Sequence, residues 1–211
     1  MTLKIIDKEI TGQSTAQIIT TQIGIILKAE FTNQYDSYNQ QAKFDVDIYL
    51  NSHSIYKKYL EDPTKVNSLI NVLFTNATTD SLLSNGTLDI TYNYKLQLIT
   101  RANANTTLDE AATKIAADKM QELIFIITQI FTYHANMNPP LQLNNIHNLA
   151  LSSYEVGALD ENNTIDKYIG CMFDLKITAR EYPLLANINI LQGFNIELDY
   201  NNKIIKLIID T

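Results

Sequence analysis

From Ile169 to Arg180 the chain alternates without a break. Ile169, Cys171, Phe173, Leu175, Ile177 and Ala179 are apolar, and Asp174, Lys176, Thr178 and Arg180 stand between them. Residues two apart share one face of a strand, so this run reads as a long strand with one face in a core. Tyr92, Tyr94, Leu96 and Leu98 repeat the pattern against Asn93, Lys95, Gln97 and Ile99, within a strand expected over 88–102. Phe44, Val46, Ile48 and Leu50 repeat it again against Asp45, Asp47 and Tyr49. Alternation of this kind belongs to sheets covered on one side.

Helical signals lie between the strands. Thr107 and Glu110 form a capping box, in which the hydroxyl accepts from the third helical amide and the carboxylate reaches back to the cap. Leu108, Ala112, Ile115, Leu123, Ile127 and Ile130 follow at helical spacing, giving a helix over 107–133 that stops before Pro139-Pro140. Thr11–Phe31 carries two periods. Ile19, Ile23, Ile26 and Leu27 fit a helix, whereas Ile23, Ile25, Leu27, Ala29 and Phe31 fit a strand. A helix to about Gly24 followed by extended chain is expected. Ser52–Ala77 reads as a short helix to Leu60 and a second from Pro63, whose face is Val66, Leu69, Ile70, Leu73 and Phe74. Asn85-Gly86 marks a turn. Residues 138–151 read as irregular and 152–158 as a strand. Phe194–Tyr200 and Lys203–Ile209 form a hairpin about Asn201-Asn202, since Asn tolerates the positive φ of two-residue turns. Strand followed by helix thus occurs twice, over 43–77 and 88–133. Lys43–Ile48 also resembles Met172–Ile177, a faint internal echo.

The expected architecture is α+β: an antiparallel or mixed sheet flanked by two to three helices. No Gly/Ser-rich linker divides the 211 residues. A single domain over 1–211 is expected, with 184–211 as a C-terminal β-hairpin extension.

Charge narrows the function. Charged residues make up 18% of the chain, below the usual ~25%, and uncharged polar residues fill the gap. A partner-covered surface produces that composition, because uncharged polar groups are cheaper to desolvate; so does AT-rich codon usage. The net charge is −7, and the close basic pairs are Lys57-Lys58 and Lys203 with Lys206. Nucleic-acid binders carry a basic patch or stripe, so no specific nucleic-acid binding is expected. An acidic surface suits a conduit through which DNA passes. The longest nearly unbroken apolar stretch, Leu123–Phe131, falls far short of the ~20 residues that span a bilayer. The first residues lack the basic start and apolar core of a signal peptide. No membrane association is expected, and the chain reads as made in a cytoplasm or carried out of it inside a particle.

Chemistry is sparse. The single cysteine, Cys171, sits in an apolar alternation and reads as a buried structural thiol. His53, His134 and His147 stand apart from one another and read as surface or capping residues. Asp45 and Asp47 share a strand face that reads as solvated, and Asp160-Glu161-Asn162-Asn163 lacks the Gly and terminal Glu of a calcium loop. The six glycines form no phosphate-cradling loop. The chain is therefore read as non-enzymatic, with no cofactor and no metal.

Lys203-Ile204-Ile205-Lys206-Leu207-Ile208-Ile209 is apolar on both faces. Such a strand aggregates unless it is central or covered by a partner. The order from residue 88 onward is also informative. Tyr94–Thr100 is followed by Leu108-Asp109-Glu110-Ala111 opening a helix, then Ser153-Tyr154-Glu155, Asp160-Glu161-Asn162 and Phe173-Asp174-Leu175-Lys176-Ile177-Thr178. Over about 88–182 this layout resembles the tail-terminator (minor tail, or tail-completion) proteins of long-tailed bacteriophages. Residues 52–87 and 184–211 look like additions to it.

That resemblance implies a structural virion protein. It would be a homo-oligomer, a ring of six subunits that caps the tail tube, stops its growth and joins it to the head connector. Its partners would be the tail tube protein and the head–tail connector protein, in a virion tail or neck assembled in the host cytoplasm. A neck, connector or baseplate adaptor of a phage or contractile tail shares the layout, and a small α+β ligand-binding or hydrolytic domain is the reading from another class. Candidate contact residues for the ring are Arg101, Asn103, Asn105, Asp160, Glu161, Asn162, Ile204, Ile205 and Ile208.

Overall fold

The computed structural model describes residues 13–38, 46–53, 59, 68–83, 87–103, 109–159, 166–181, 195–200 and 203–208. Their order is α1 (Thr15–Tyr38), β1 (Val46–Leu50), β2 (Ser68–Leu82), β3 (Leu88–Asn103), α2 (Asp109–Ala135), a 3₁₀ turn at Pro140–Gln142, β4 (Ile146–Ala158), β5 (Asp166–Glu181), β6 (Asn195–Tyr200) and β7 (Lys203–Ile208). The fold is α+β. Five strands form one mixed sheet in the order β1-β2-β3-β5-β4, and β6 and β7 form a second, two-stranded sheet. Only the β1–β2 pair is parallel; β2–β3, β3–β5 and β4–β5 are antiparallel.

β3 and β5 pair along their full length, from Leu88↔Glu181 to Asn103↔Asp166, with no bulge. The alternation read in the sequence therefore sorts cleanly between the two faces. Tyr92, Tyr94, Leu96 and Leu98 from β3 join Ile169, Cys171, Phe173, Leu175, Ile177 and Ala179 from β5 in one buried cluster, together with residues of both helices. The opposite face carries a smaller cluster of Tyr59, Leu69, Ile99 and Tyr168.

α1 corrects one expectation. It is a single helix through Tyr38, not a helix to Gly24 followed by extended chain. Its buried stripe is Ile19, Ile23, Ile26, Leu27 and Phe31, while Ile25 is 56% exposed. Burying a side chain such as Ile26 or Leu27 is worth ~1.5–3 kcal/mol, and only the helical period brings Ile26 onto the sheet beside Ile23, Leu27 and Phe31. The start is fixed by a capping box that the sequence reading missed: the Gln17 amide donates to Ser14 Oγ (3.3 Å), and the Ser14 amide donates to Gln17 Oε1 (2.9 Å). Gly24 allows close approach to β1, because a Cβ there would lie 3.0 Å from Leu50 Cδ2.

A second correction is larger. Residues 68–77, expected as helix, and 78–82, expected as part of a polar connection, form strand β2. Ile70 and Val72 face the helices, whereas Leu69 joins the opposite cluster. The strand is buried on both faces at this end, so it shows no alternation, and a continuous apolar run is open to a helical reading. The buried Asn71 is fully engaged. Its Nδ2 donates to the Ser52 carbonyl (2.8 Å) and to Gln97 Oε1 (2.9 Å), and its Oδ1 accepts from the Ser52 amide (3.3 Å). With 68–77 a strand, the second helix of the expected strand-then-helix unit over 43–77 is absent. The short helix expected before Pro63 lies outside the described residues apart from Tyr59, which is buried.

α2 agrees with expectation, running Asp109–Ala135. Its buried stripe is Ala112, Ala116, Met120, Leu123, Ile127 and Phe131; Ile115, assigned to that face from its spacing, is 43% exposed. The capping Thr107 lies outside the described residues. The region read as irregular holds the 3₁₀ turn and the first part of β4, which begins at Ile146 instead of 152.

Hydrogen bonds from β3 side chains fasten both helices to it, and Lys119 Nζ of α2 donates to the Arg101 carbonyl (3.4 Å). Tyr94 Oη donates to the Ala16 carbonyl of α1 (2.9 Å), and Thr100 Oγ1 donates to the Ala116 carbonyl of α2 (2.8 Å). Burial pushes the Tyr94 phenol up to about 12, against the Thr20 hydroxyl, which lowers it. Tyr94→Phe deletes one buried hydrogen bond at nearly constant volume. The Ala16 carbonyl keeps its bond from Thr20 Oγ1 (2.7 Å), so the expected loss is small, ~0.5–1 kcal/mol, read from the urea unfolding midpoint.

Candidate functional site

The contact candidates fall in three groups. Arg101 is in β3, within the strand expected over 88–102, and is 4% exposed; its guanidinium lies 5.5 Å from the centre of the Tyr168 ring. It is a packed residue of the sheet face opposite the helices, where an arginine can lie flat on an aromatic ring. This corrects its assignment as a surface contact. Asn103 ends β3 opposite Asp166 of β5. Asn105, Asp160, Glu161 and Asn162 lie outside the described residues. The register is nevertheless informative, because the end of β3, the start of β5 and the end of β4 all lie at one end of the sheet. Ile204, Ile205 and Ile208 are in β7, opposite Asp199, Leu198 and Asn195 of β6. The expected hairpin with Asn201-Asn202 between its strands is present, Tyr200 pairing with Lys203.

The sheet has two unlike edges. β1 at one side is five residues long and pairs parallel with β2. β4 at the other is thirteen residues long, and all its residues from Ser152 to Ala158 are exposed. Within that stretch Tyr154 and Val156 are 51% and 53% exposed. They sit past a register shift between Leu151 and Tyr154. β2 also projects a polar stretch, Thr75–Leu82, exposed throughout. It stays paired with β3 through two register shifts. At its base the Asp80 carboxylate accepts from Thr91 Oγ1, and Arg180 pairs with Asp89 (Nε–Oδ1 3.0 Å). The Arg180 hydrogen bond holds the Asp89 carboxyl below its usual range, partly opposed by desolvation.

Among the described residues, two of the surface concavities lie one over the sheet and one between the helices. One, of about 490 Å³, lies over β3, β5 and β4 and is lined in part by Ile99, Gly157, Leu159, Gly170 and Met172. Gly157 and Gly170 pair across the ladder, and the Leu159 side chain covers Gly170 so closely that a Cβ there would lie 2.9 Å from its Cδ1. The other, of about 540 Å³, is a groove between Glu30 of α1 and Phe125, Ile126, Gln129, Ile130, Tyr133 and His134 of α2. His134 was expected as a surface or capping residue. It is 4% exposed, and neither ring nitrogen has a hydrogen-bond partner. Desolvation holds its pKa below the usual value, opposed by the Glu30 carboxylate. Tyr133 meets it edge-on at 5.4 Å. No sequence signal separated it from a surface histidine, because His134 falls on the buried stripe only when α2 is continued past Ile130.

His53 and His147 are exposed. Cys171 is buried, and desolvation raises its thiol to about 11, which leaves it protonated and inert at neutral pH. Asp45, the partner of Asp47 in the supposed cation pair, lies outside the described residues. Among the described residues no group of three or more His, Cys, Asp or Glu side chains converges, and no helix is long and apolar enough to cross a membrane. No family model matches the sequence, and no curated protein matches it.

The unpaired His134 predicts a stability signature. An unfolded imidazole with the ordinary value of 6.5 takes up a proton on acidification that the buried one resists. The stability tied to this group is present above that value and falls as pH drops through it, until the folded imidazole also protonates. His134→Leu removes two orphaned polar atoms. It is expected to raise stability at neutral pH by ~1–2 kcal/mol. It also flattens the change between about pH 7.5 and 5.5, as measured by urea unfolding at each pH.

Proposed function

We propose that this chain is a structural subunit that closes head-to-tail into a homo-oligomeric ring, and that the ring terminates a bacteriophage tail tube and joins it to the head connector. The observation that carries the reading is the pair of unlike sheet edges. A short parallel strand begins the sheet and a long exposed strand with two half-exposed apolar side chains ends it. An edge strand presents unpaired N–H and C=O groups. Two different edges on one subunit make a heterologous contact, which generates a closed ring when the rotation permits.

Three further features support it. The layout from residue 88 to 182, on which the resemblance to tail terminators rests, coincides with β3, α2, β4 and β5. The exposed arm of β2, Thr75–Leu82, is rich in threonine and carries one charge, a surface that another protein covers at little desolvation cost. The hairpin β6–β7 is a two-stranded sheet, a unit marginal in water by itself, and the sequence of its second strand carries apolar residues on both faces. In this reading α2 forms the outer layer of the ring, and the end of the sheet that carries Asn103 and Asp166 meets the tube or connector. The acidic balance keeps passing DNA from adhering.

Val156→Asp tests the edge contact. Val156 is already half-exposed, so a surface change of this kind is expected to alter monomer stability by no more than ~0.5 kcal/mol. It places a charge in the subunit contact and is expected to weaken association at least about tenfold, measured by light scattering over a dilution series. An oligomer unchanged by Val156→Asp removes β4 as the contact edge. Deleting 201–211 asks the same of the hairpin. The position in the particle is tested by electron microscopy of particles made without the gene. Overlong headless tubes identify a terminator, normal-length headless tails identify a neck adaptor, and normal particles overturn the virion reading.

A further inference from the structure

We propose that the groove between α1 and α2 receives an arginine side chain from a different protein. Its volume, about 540 Å³, is that of a small-ligand pocket, and its chemistry selects a flat cation. Phe125 and Tyr133 lie eight residues apart on one side of α2 and are 65% and 63% exposed. Each ring, left in solvent beside the groove, offers a face on which a guanidinium stacks. Glu30, across the groove on α1, supplies the carboxylate, and among the described residues it forms no ion pair. Gln129, between the two rings in sequence, adds an amide oxygen that accepts from a guanidinium.

His134 is the independent observation. It is buried at the groove with both ring nitrogens unpaired, and an orphaned polar group in a native structure calls for an explanation. Because burial keeps the imidazole neutral, the groove holds no cation of its own to cancel Glu30. An incoming guanidinium therefore meets an uncompensated carboxylate over a polar, uncharged floor. A protonated histidine at this place would repel it.

The donor is not a second copy of this chain. The sequence holds two arginines, Arg101 and Arg180. Arg101 is buried against Tyr168, and Arg180 is hydrogen-bonded through Nε and Nη2 to the two carboxylate oxygens of Asp89 at 3.0 and 3.3 Å. Lysine is the poorer occupant, since its compact, strongly hydrated ammonium does not stack on a ring as a guanidinium does. With a net charge of −7, the chain also draws a basic partner at long range.

The test is an NMR titration of the full chain with N-acetyl-arginine-N-methylamide at constant ionic strength, following the His134, Phe125 and Tyr133 ring signals. The citrulline isostere, equal in shape and uncharged, is the control. Saturable shifts confined to the groove are expected at millimolar concentrations, as befits one side chain, with citrulline at least about tenfold weaker. Glu30→Gln and Phe125→Ala are each expected to weaken binding several-fold while leaving signals elsewhere unmoved, which shows that the fold survives. No localised shift up to tens of millimolar, equal shifts with citrulline, or indifference to Glu30→Gln would each overturn the assignment. None of these outcomes depends on whether the chain forms a ring.

Discussion

The unbulged ladder between β3 and β5 is the constraint on which the other elements depend. Sixteen residues of β3 face sixteen of β5 without a slip. A slip by one residue would carry Tyr94, Leu96, Phe173 and Leu175 from the core to the far face. The register is thus enforced by four large side chains that are each no more than 1% exposed. Because these two strands occupy the centre, β2 and β4 add outside them and β1 outside β2. The two unlike edges follow from that order. Irregularity is confined to the flanks, where β2–β3 and β4–β5 each carry two register shifts.

The same central strand organises the helix layer. β3 holds α1 through Tyr94 and α2 through Thr100, six residues further along. Each bond ends on a helix carbonyl, so both helices are tied to the sheet at fixed points. At one place the 3₁₀ turn bridges them, with Gln22 Nε2 donating to the Leu141 carbonyl (3.1 Å). Nearer the end of α2 nothing equivalent joins Glu30 to His134, and the space between the helices stays open as the groove. His134 is buried because it continues the stripe of Ile127 and Phe131, but no side chain from α1 reaches its nitrogens.

How much was legible in the sequence followed how many faces of each element are buried. β3 and β5 bury mainly one face, so their period of two was plain and their limits were read within a few residues. α2 was legible from its period and from the two prolines beyond it. β2 was misread because Leu69, Ile70 and Val72 are buried on opposite faces and erase the alternation. What remained was the local bias of Ile70, Val72, Thr75, Thr78 and Thr79 toward strand, outweighed in the reading by Leu69, Leu73 and Phe74 at helical spacing. In α1 both periods were present in residues 23–31, and the contest was settled by tertiary packing, with Ile26 buried and Ile25 exposed. The candidate contacts fared unevenly for a related reason. Arg101 reads as a surface contact because charge marks a surface by default, whereas the planar guanidinium on Tyr168 is a way of burying one. The groove was invisible, since it is made of residues about a hundred positions apart.

The two proposed surfaces divide the molecule in a physically consistent way. Sheet edges are open along a direction that the strands themselves define, and another backbone laid along them pairs with their N–H and C=O groups. Subunits joined edge to edge consume β1 and β4 and leave the faces of the sheet free. One face already carries the two helices, and their outer side holds Phe125, Tyr133 and Glu30. A ring built through the edges therefore presents a repeated set of acidic, aromatic grooves on its helical layer. Contacts between copies cannot fill them, because both arginines of the chain are committed elsewhere. A partner with one arginine per groove would gain from every repeat at once, since linked weak contacts multiply. Millimolar affinity for a single side chain is then compatible with firm attachment of a partner matched to the ring's symmetry.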